Sequence, residues 1–280
     1  MPHRLLRALA VAAFAMLYPL AGRASAAAGT AKDAAPRQQI KVAAGDLLAQ
    51  KGEDGIWHSV RILQVDRMPD GSPVAHCLFY TDAKERPTLD AVAALGVRDR
   101  HMMVLAGFFG TGWERIGNRP PTKAEMAGYY DYLKHTDFPR YAKLTGLDEQ
   151  AVARVANEHY AKAVALDDKG DKRGAIIEYS IALDSYPMFV EAIDNRGLDF
   201  MDLGDCKEAV ADFEMSLGIK PDGEAAFVSR GECLLRMGKS KEAATVFAEA
   251  IRRFPARKAD LQKSLDQARA SQKAHQNPSR

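Results

Sequence analysis

The sequence has few cysteines and, after its first 20 residues, no long apolar run. Its 280 residues include three cysteines, Cys77, Cys206 and Cys233, which excludes a small domain held by a disulfide framework. Cys206 and Cys233 lie on neighbouring predicted helices, so both a bridge between them and two buried thiols stay open. A membrane-spanning helix needs roughly 20 apolar residues in a row. We therefore expect no membrane span.

The sequence also has almost no excess of positive over negative charge. The formal net charge is +2, and the first 26 residues contribute three arginines and no acid, so the remainder carries 2 − 3 = −1. Proteins that bind nucleic acid through its phosphates have a clear basic excess. Nucleic acid is therefore not an expected partner.

Motifs for catalysis, nucleotide binding or metal binding are missing. The histidines and cysteines show no metal-ligand spacing, no serine lies in a Gly-x-Ser-x-Gly turn, and the glycine-rich stretch at 107–112 lacks the Gly-Lys-Ser/Thr ending of a phosphate loop. The sequence thus predicts no catalytic residue, no cofactor and no metal. An enzyme is not indicated, although the region before residue 148 leaves that class open.

The first 26 residues have the organisation of an export signal. Basic residues within positions 3–7 precede an apolar stretch over residues 8–20, and small residues follow up to Ala26. This order is typical of a secretory signal peptide. We expect cleavage near Ala26, a flexible leader over residues 27–39, and a soluble periplasmic or secreted mature protein.

A period of 34 residues runs through the C-terminal half of the chain. Five kinds of position recur at this spacing. They are Gly170, Gly204 and Gly238; Ala175, Ala209 and Ala243; Tyr179, Phe213 and Phe247; Ala182, Ser216 and Ala250; and Pro187, Pro221 and Pro255. The glycines allow tight turns after helices, the alanines let helices approach closely, the aromatics fill the space beside them, and the prolines end each pair. The spacing predicts three stacked helix pairs.

This pattern resembles the tetratricopeptide repeat over residues 156–257. The resemblance implies a helical solenoid whose first helices line a concave groove for a segment of another protein. After Pro255, Leu261, Leu265 and Ala268 at helical spacing predict a final helix that covers the open end of the stack. Residues 271–280 are predicted to be a disordered tail.

When the groove positions of the tetratricopeptide family are transferred to this sequence, the partner-binding groove contains residues from the first helix of each of the three pairs. They are Tyr160, Val164, Asp167, Asp168, Glu191, Asp194, Asn195, Leu198, Met201, Asp202, Val228, Glu232, Leu235 and Arg236. Carboxylates dominate above an apolar floor, so a basic or amide-rich partner segment is expected. The alternative is that these acids only keep the surface soluble. Of the groove residues with which members of this family clamp an acidic C-terminus, only Asn195 is present, so such a ligand is not expected.

Before residue 148 the pattern changes from helices to strands. Residues 56–68 and 74–80 are rich in β-branched and aromatic side chains, and the segment between them has the composition of a turn. Gly45-Asp46 precedes the predicted hairpin. Together these segments resemble SH3-like or Tudor-like small barrels. A third strand over residues 102–109 and a turn before Trp113 are also predicted.

Helical signals follow in the same region. Thr122 and Glu125 form a capping-box pattern at the start of a helix that would run to about residue 135. A second helical pattern begins at about residue 149 and continues into the first repeat.

The predicted fold class is α+β, a small mostly-β domain with helices followed by an all-α solenoid. The predicted divisions are residues 1–26, 27–39, 40–147, 148–257 and 258–280. The predicted function is an exported adaptor that binds other proteins in the cell envelope. An enzyme or ligand-binding protein with its site in residues 40–147, and a structural subunit of an envelope assembly, remain as alternatives.

Overall fold

The computed structural model describes residues 40–110 and 112–276. These described residues divide into two compact units, with the division between Leu133 and Lys134. This division falls earlier than the predicted boundary after residue 147. The predicted signal peptide, residues 1–26, and the predicted leader, residues 27–39, lie outside the described residues.

The first unit is built on a five-stranded antiparallel sheet. Its strands are β1 (Asp46–Lys51), β2 (Trp57–Arg67), β3 (Pro73–Tyr80), β4 (Val97–Leu105) and β5 (Trp113–Asn118). The order in the sheet is β4-β3-β2-β1-β5. Strands β2 and β3 form the predicted hairpin, with Arg67 opposite Pro73 beside the turn. Strand β5 returns to pair with β1, so β4 and β5 are the two edge strands. The SH3-like or Tudor-like resemblance stays a prediction.

Two strands differ from the sequence prediction. The turn expected before Trp113 leads directly into β5, a strand that the sequence pattern does not predict because charged residues and Gly117 interrupt its apolar positions. Strand β4 ends at Leu105, and residues 106–108 form a short 3-10 helix in place of the predicted end of the strand.

One face of the sheet carries an apolar core. The buried side chains of this cluster are Val42, Leu48, Val60, Ile62, Ala75, Cys77, Phe79, Val104, Ala106 and Phe109. The β strands alternate their side chains between the two faces, so Arg61, which lies between Val60 and Ile62, points to the opposite face. Arg61 is nevertheless fully buried, which requires polar partners on that face.

Glu125 provides a negative partner for Arg61. The Arg61 Nε atom lies 3.5 Å from Glu125 Oε1, and Arg61 Nη1 donates to the Gly45 carbonyl at 3.0 Å. Glu125 also accepts from the Thr122 backbone N–H at 2.7 Å, and the Glu125 N–H donates to Thr122 Oγ1 at 3.2 Å. These two bonds confirm the predicted capping box, and helix α1 (Ala127–Thr136) follows it.

The second unit contains consecutive helices joined by short turns. They are α2 (Phe138–Thr145), α3 (Glu149–Asp167), α4 (Lys172–Ser185), α5 (Val190–Leu203), α6 (Cys206–Ile219), α7 (Glu224–Arg236), α8 (Ser240–Arg253) and α9 (Lys258–Gln276). Helices α3 to α8 form the three predicted pairs. Gly170, Gly204 and Gly238 end the first helix of each pair with φ of 80°, 88° and 76°, a conformation that glycine adopts without strain.

The predicted final helix is confirmed as α9, whose Leu261, Leu265 and Ala268 are buried in one cluster with Phe247 of α8. The prediction of disorder from residue 271 is wrong as far as residue 276, because α9 continues to Gln276. That stretch holds alanine, lysine and glutamine and no glycine or proline, so it sustains a helix. In the described part of the chain, no helix combines the length and the apolar character needed to cross a membrane.

Candidate partner-binding surface

The first helices of the three pairs are joined side by side. Asn195 Nδ2 of α5 donates to the Tyr160 hydroxyl of α3 at 3.2 Å and to the Tyr179 hydroxyl of α4 at 3.2 Å. On the other side of α5, Arg236 Nη1 of α7 donates to the Met201 carbonyl at 3.1 Å. Helices α3, α5 and α7 therefore present one continuous surface, which we call the first-helix surface.

Apolar side chains occupy the middle of this surface. Leu198 is 36% exposed and lies one helical turn from both Asn195 and Met201, so these side chains share one side of α5. Val164, Met201, Val228 and Leu235 are half-buried. Among the apolar residues predicted for the groove, Leu198 is thus the most open to a partner.

Lys172 is a charged residue near this surface that the sequence prediction does not include. Its Nζ atom lies 2.6 Å from Asp167, 2.9 Å from Asp199 and 3.0 Å from Asp202. The hydrogen bonds that its ammonium group donates, to Asp167 first and then to Asp199 and Asp202, raise the pKa of Lys172. Lys172 was outside the prediction because it begins α4, a second helix, whereas groove positions were taken from first helices.

Lys172 reduces the negative charge that the sequence assigns to the groove. Two of its six predicted carboxylates, Asp167 and Asp202, are bound to this ammonium group. A third, Asp194, is half-buried, and burial raises its pKa while the Ser216 hydroxyl partly offsets the effect. Asp168 and Glu191 are exposed and Glu232 is half-buried. The fully exposed acidity is therefore smaller than the residue count indicates.

An ion pair behind the surface fixes α5 in place. The Arg196 guanidinium donates to Asp212 Oδ2 at 2.8 Å and to Asp212 Oδ1 at 2.7 Å, and its Nη1 donates to Ser180 Oγ at 3.0 Å. These contacts tie α5 to α6 and to α4. Two parallel bonds from one guanidinium hold both angle and distance, so α5 is held as a rigid platform.

The three cysteines are buried free thiols. Cys206 and Cys233 belong to one apolar cluster with Phe213. Burial, together with the neighbouring Cys206 thiol, raises the pKa of Cys233 to about 12. Burial also raises the pKa of Cys77. Cys77 and Cys233 are therefore not activated as nucleophiles, since the reactive form is the thiolate.

In the sheet unit, two histidines that look scattered in the sequence are in contact. His76 of β3 is 1% exposed, its Nδ1 atom lies 2.9 Å from His101 Nε2 of β4, and its Nε2 atom lies 3.1 Å from Asp66 Oδ2 of β2. The His101 ring stacks on Tyr132 at 4.6 Å between centroids. Burial, and then the neighbouring His76, lower the pKa of His101 to about 4.

This histidine cluster is a hydrogen-bonded chain that passes from a carboxylate through two rings. Because the pKa of His101 is about 4, its ring is neutral at pH 7. Within residues 40–110 and 112–276, no group of three histidine, cysteine, aspartate or glutamate residues could hold a metal ion. The contacts with Asp66 and Tyr132 fix the orientation of both rings.

The helical unit has the architecture of a tetratricopeptide-type array. Helix pairs recur every 34 residues, a left-handed glycine follows each first helix, and a small residue faces an aromatic ring where the helices cross. At Gly197 and Gly231, a Cβ atom would lie 2.8 Å from the ring of Phe213 and of Phe247 respectively. This close approach is the reason for the small residue at the crossing.

Solved structures of tetratricopeptide domains are similar to less than half of the chain. The yeast Sti1 TPR2B domain in complex with an Hsp70 peptide has 16% identity and a TM-score of 0.39, covering 42% of this chain and 98% of that chain. The Arabidopsis OM64 TPR domain has 20% identity and a TM-score of 0.40, with 42% and 98% covered. The second TPR domain of human RPAP3, with an HSP70 peptide, has 18% identity and a TM-score of 0.38, with 43% and 97% covered. No protein-family model and no curated protein matches the chain.

Proposed function

We propose that this chain is an interaction module that binds a segment of a partner protein along its first-helix surface. The observation that carries the proposal is the position of Leu198. It is an exposed apolar side chain on α5, the central one of three helices that are joined side by side. The half-buried Met201, Val228 and Leu235 extend the apolar area around it. Apolar anchors surrounded by polar groups are typical of the centre of a protein interface.

The chemistry around Leu198 favours a basic or amide-rich partner segment. Asp168 and Glu191 are exposed carboxylates, whereas Arg236 donates a hydrogen bond to a backbone carbonyl of the same surface. An incoming lysine or arginine would pair with the carboxylates, and an acidic segment would be repelled. The apolar floor would provide the part of the affinity that salt does not screen.

We further propose that this module works in the cell envelope as an adaptor or scaffold. The support is the order of basic, apolar and small residues within residues 1–26. Intact-mass measurement on exported protein tests this part, with a mature N-terminus at or near Ala27 expected. A full-length chain retained in the cytoplasm would contradict it.

The binding surface is tested by placing a photo-crosslinking amino acid, p-benzoylphenylalanine, at position 198 in cells that express the full chain. The matched control carries the same group at Ile177, which is 61% exposed on α4, a second helix. We expect a defined crosslinked partner from position 198 and none from position 177. The site of attachment on the partner, read by mass spectrometry, should lie in a basic or amide-rich segment.

A substitution gives an independent measurement. Leu198→Asp should weaken capture of the crosslinked partner at every salt concentration, because it removes the apolar anchor, while Ile177→Asp should leave capture unchanged. Circular dichroism establishes that both variants are folded. If folded Leu198→Asp retains the partner, or if only position 177 crosslinks, the first-helix surface is not the binding site.

A further inference from the structure

A second surface lies at the C-terminal end of the helical unit, in a cleft between α8 and α9. The cleft has a volume of about 520 Å³. Its charged lining residues are Lys241 and Arg252 of α8 and Arg269 of α9, and its floor includes Ala244 and Ala248. All three cations are exposed and both alanines are half-buried, so the cleft is a shallow, open depression with an apolar floor and basic side chains around it.

No acidic residue lines this cleft. Every acidic side chain of α8 and α9 is engaged elsewhere. The pairs are Glu242 with Lys239, Glu249 with Arg253, Asp260 with Arg257, and Asp266 with Gln262. In the part of the chain that the structure describes, Lys241, Arg252 and Arg269 make no ion pair. Three cations without counter-charge around a single cleft favour an anionic occupant.

The spacing of the cations indicates the size of that occupant. Lys241 and Arg252 are 11 positions apart on α8, which corresponds to about 16 Å at the rise of an α-helix. The row of cations is therefore elongated along the axis of α8. An extended peptide of about five residues has this length, and its alternate side chains could rest on Ala244 and Ala248 while its carboxylates face the surrounding cations.

We propose that the cleft between α8 and α9 binds a short, extended acidic segment of a partner protein. Recognition uses Lys241, Arg252 and Arg269 for the carboxylates, Thr245 and Gln272 of the lining as uncharged hydrogen-bonding groups, and the alanine floor for small side chains. The cleft shares no residue with the first-helix surface. Binding in the cleft is therefore independent of the proposed function of that surface, and the chain would hold two segments of opposite charge.

The probe is fluorescein-labelled pentaglutamate, titrated with the full mature chain in 20 mM and in 150 mM NaCl and followed by fluorescence polarisation. The test variant is Lys241→Gln with Arg269→Gln. The matched control is Lys258→Gln with Lys263→Gln, which removes the same charge from exposed positions of α9 outside the cleft. We expect the test variant to weaken binding about five- to tenfold at low salt and the control to change it less than about twofold.

Four outcomes would overturn the proposal. The first is no binding of pentaglutamate by the parent chain at low salt, and the second is equal weakening in the test and control variants, which would indicate unspecific charge attraction. The third is tighter binding of inorganic tripolyphosphate than of the peptide, which would indicate a site for small anions. The fourth is a dimer that the test variant abolishes, which would make a second copy the occupant. Leu198→Asp should leave pentaglutamate binding unchanged, so failure of the two proposals can be told apart.

Discussion

The Arg196 guanidinium and the Asp212 carboxylate form a two-bond ion pair that joins α5 to α6. The side chains are 18% and 7% exposed, so water screens the pair only in part. Removal of one partner would leave the other charge without compensation in a largely dry position. Removal of one partner of this pair should therefore destabilise the repeat array more than removal of one partner of an exposed ion pair on the same helices.

Asp212→Ala should lower the free energy of unfolding of the helical unit by about 2–4 kcal/mol, because it leaves Arg196 unpaired. Urea unfolding followed by far-ultraviolet circular dichroism measures the loss. The control is Glu214→Ala on the same helix, whose 60% exposed carboxylate lies 3.8 Å from Arg230 and should contribute less than about 1 kcal/mol. Equal losses from the two substitutions would contradict the ranking.

Gly197→Ala should destabilise the helical unit although alanine favours helices. The new Cβ atom would lie 2.8 Å from the Phe213 ring, and overpacking of this kind costs about 1–3 kcal/mol. Phe213→Leu in the same chain should recover part of the loss by giving room to the methyl group. A double-mutant cycle in urea measures this coupling, and strictly additive effects would show that the contact is not the cause.

Lys172→Met should destabilise the helical unit at neutral pH by about 1–3 kcal/mol, because it leaves the buried Asp199 carboxylate without its donor. Burial already raises the pKa of Asp199 in the parent chain, and loss of the ammonium group should raise it further. A carboxyl group with a raised folded-state pKa binds its proton more tightly when folded, so the deficit should shrink as the pH falls towards 4. A deficit that is the same at pH 7 and at pH 4.5 would be inconsistent with this account.

Acid should destabilise the sheet unit through His101. Its folded-state pKa of about 4 lies below the value of 6.5 for an unperturbed histidine. The unfolded chain therefore binds the proton more readily, and stability is lost as the pH falls from about 6.5 to about 4, by up to about 3 kcal/mol. Both tryptophans, Trp57 and Trp113, lie in this unit, so urea unfolding followed by tryptophan fluorescence reports it selectively. His101→Gln should show a smaller loss, whereas equal pH dependence in both proteins would exclude His101 as the cause.

The three thiols should be unreactive in the folded chain. All three thiols are buried, so the reagent has little access to them, and burial also raises the pKa of Cys77 and Cys233. Ellman's reagent should react slowly with native protein and should count three thiols once guanidinium chloride is added. Rapid reaction of one thiol in the folded state would show that the buried position is opened, and a count of one would reveal a disulfide between Cys206 and Cys233.

The repeats could be predicted because their markers act locally. Gly170, Gly204 and Gly238 end helices by their own backbone conformation, and the 34-residue spacing repeats each local signal three times. The position of Lys172 could not be predicted in the same way, because its three carboxylate partners come from two other helices. Its role depends on how the helices pack, which the period alone does not specify.

The sheet unit was predicted less completely because its contacts depend on register. His76 meets His101 only through the pairing of β3 with β4, and this ladder shifts register twice. A shift of one residue would turn either ring to the other face, so sequence spacing gives no signal for the pair. The hairpin of β2 and β3, in contrast, has a turn between its strands that the sequence marks clearly.

The contact between Arg61 and Glu125 raises the free energy of local opening in the sheet unit. Burial alone would raise the pKa of Glu125, but hydrogen bonds from Arg119 and Tyr80 lower it to about 2, so the carboxylate stays charged. If residues 119–125 detached, the fully buried Arg61 would lose its counter-charge, and Tyr80 would lose its acceptor. The start of helix α1 and the sheet are therefore expected to open as a single cooperative unit, so their slowest amide hydrogens should exchange at one common rate. A protease should likewise cut this unit only after the whole sheet has opened.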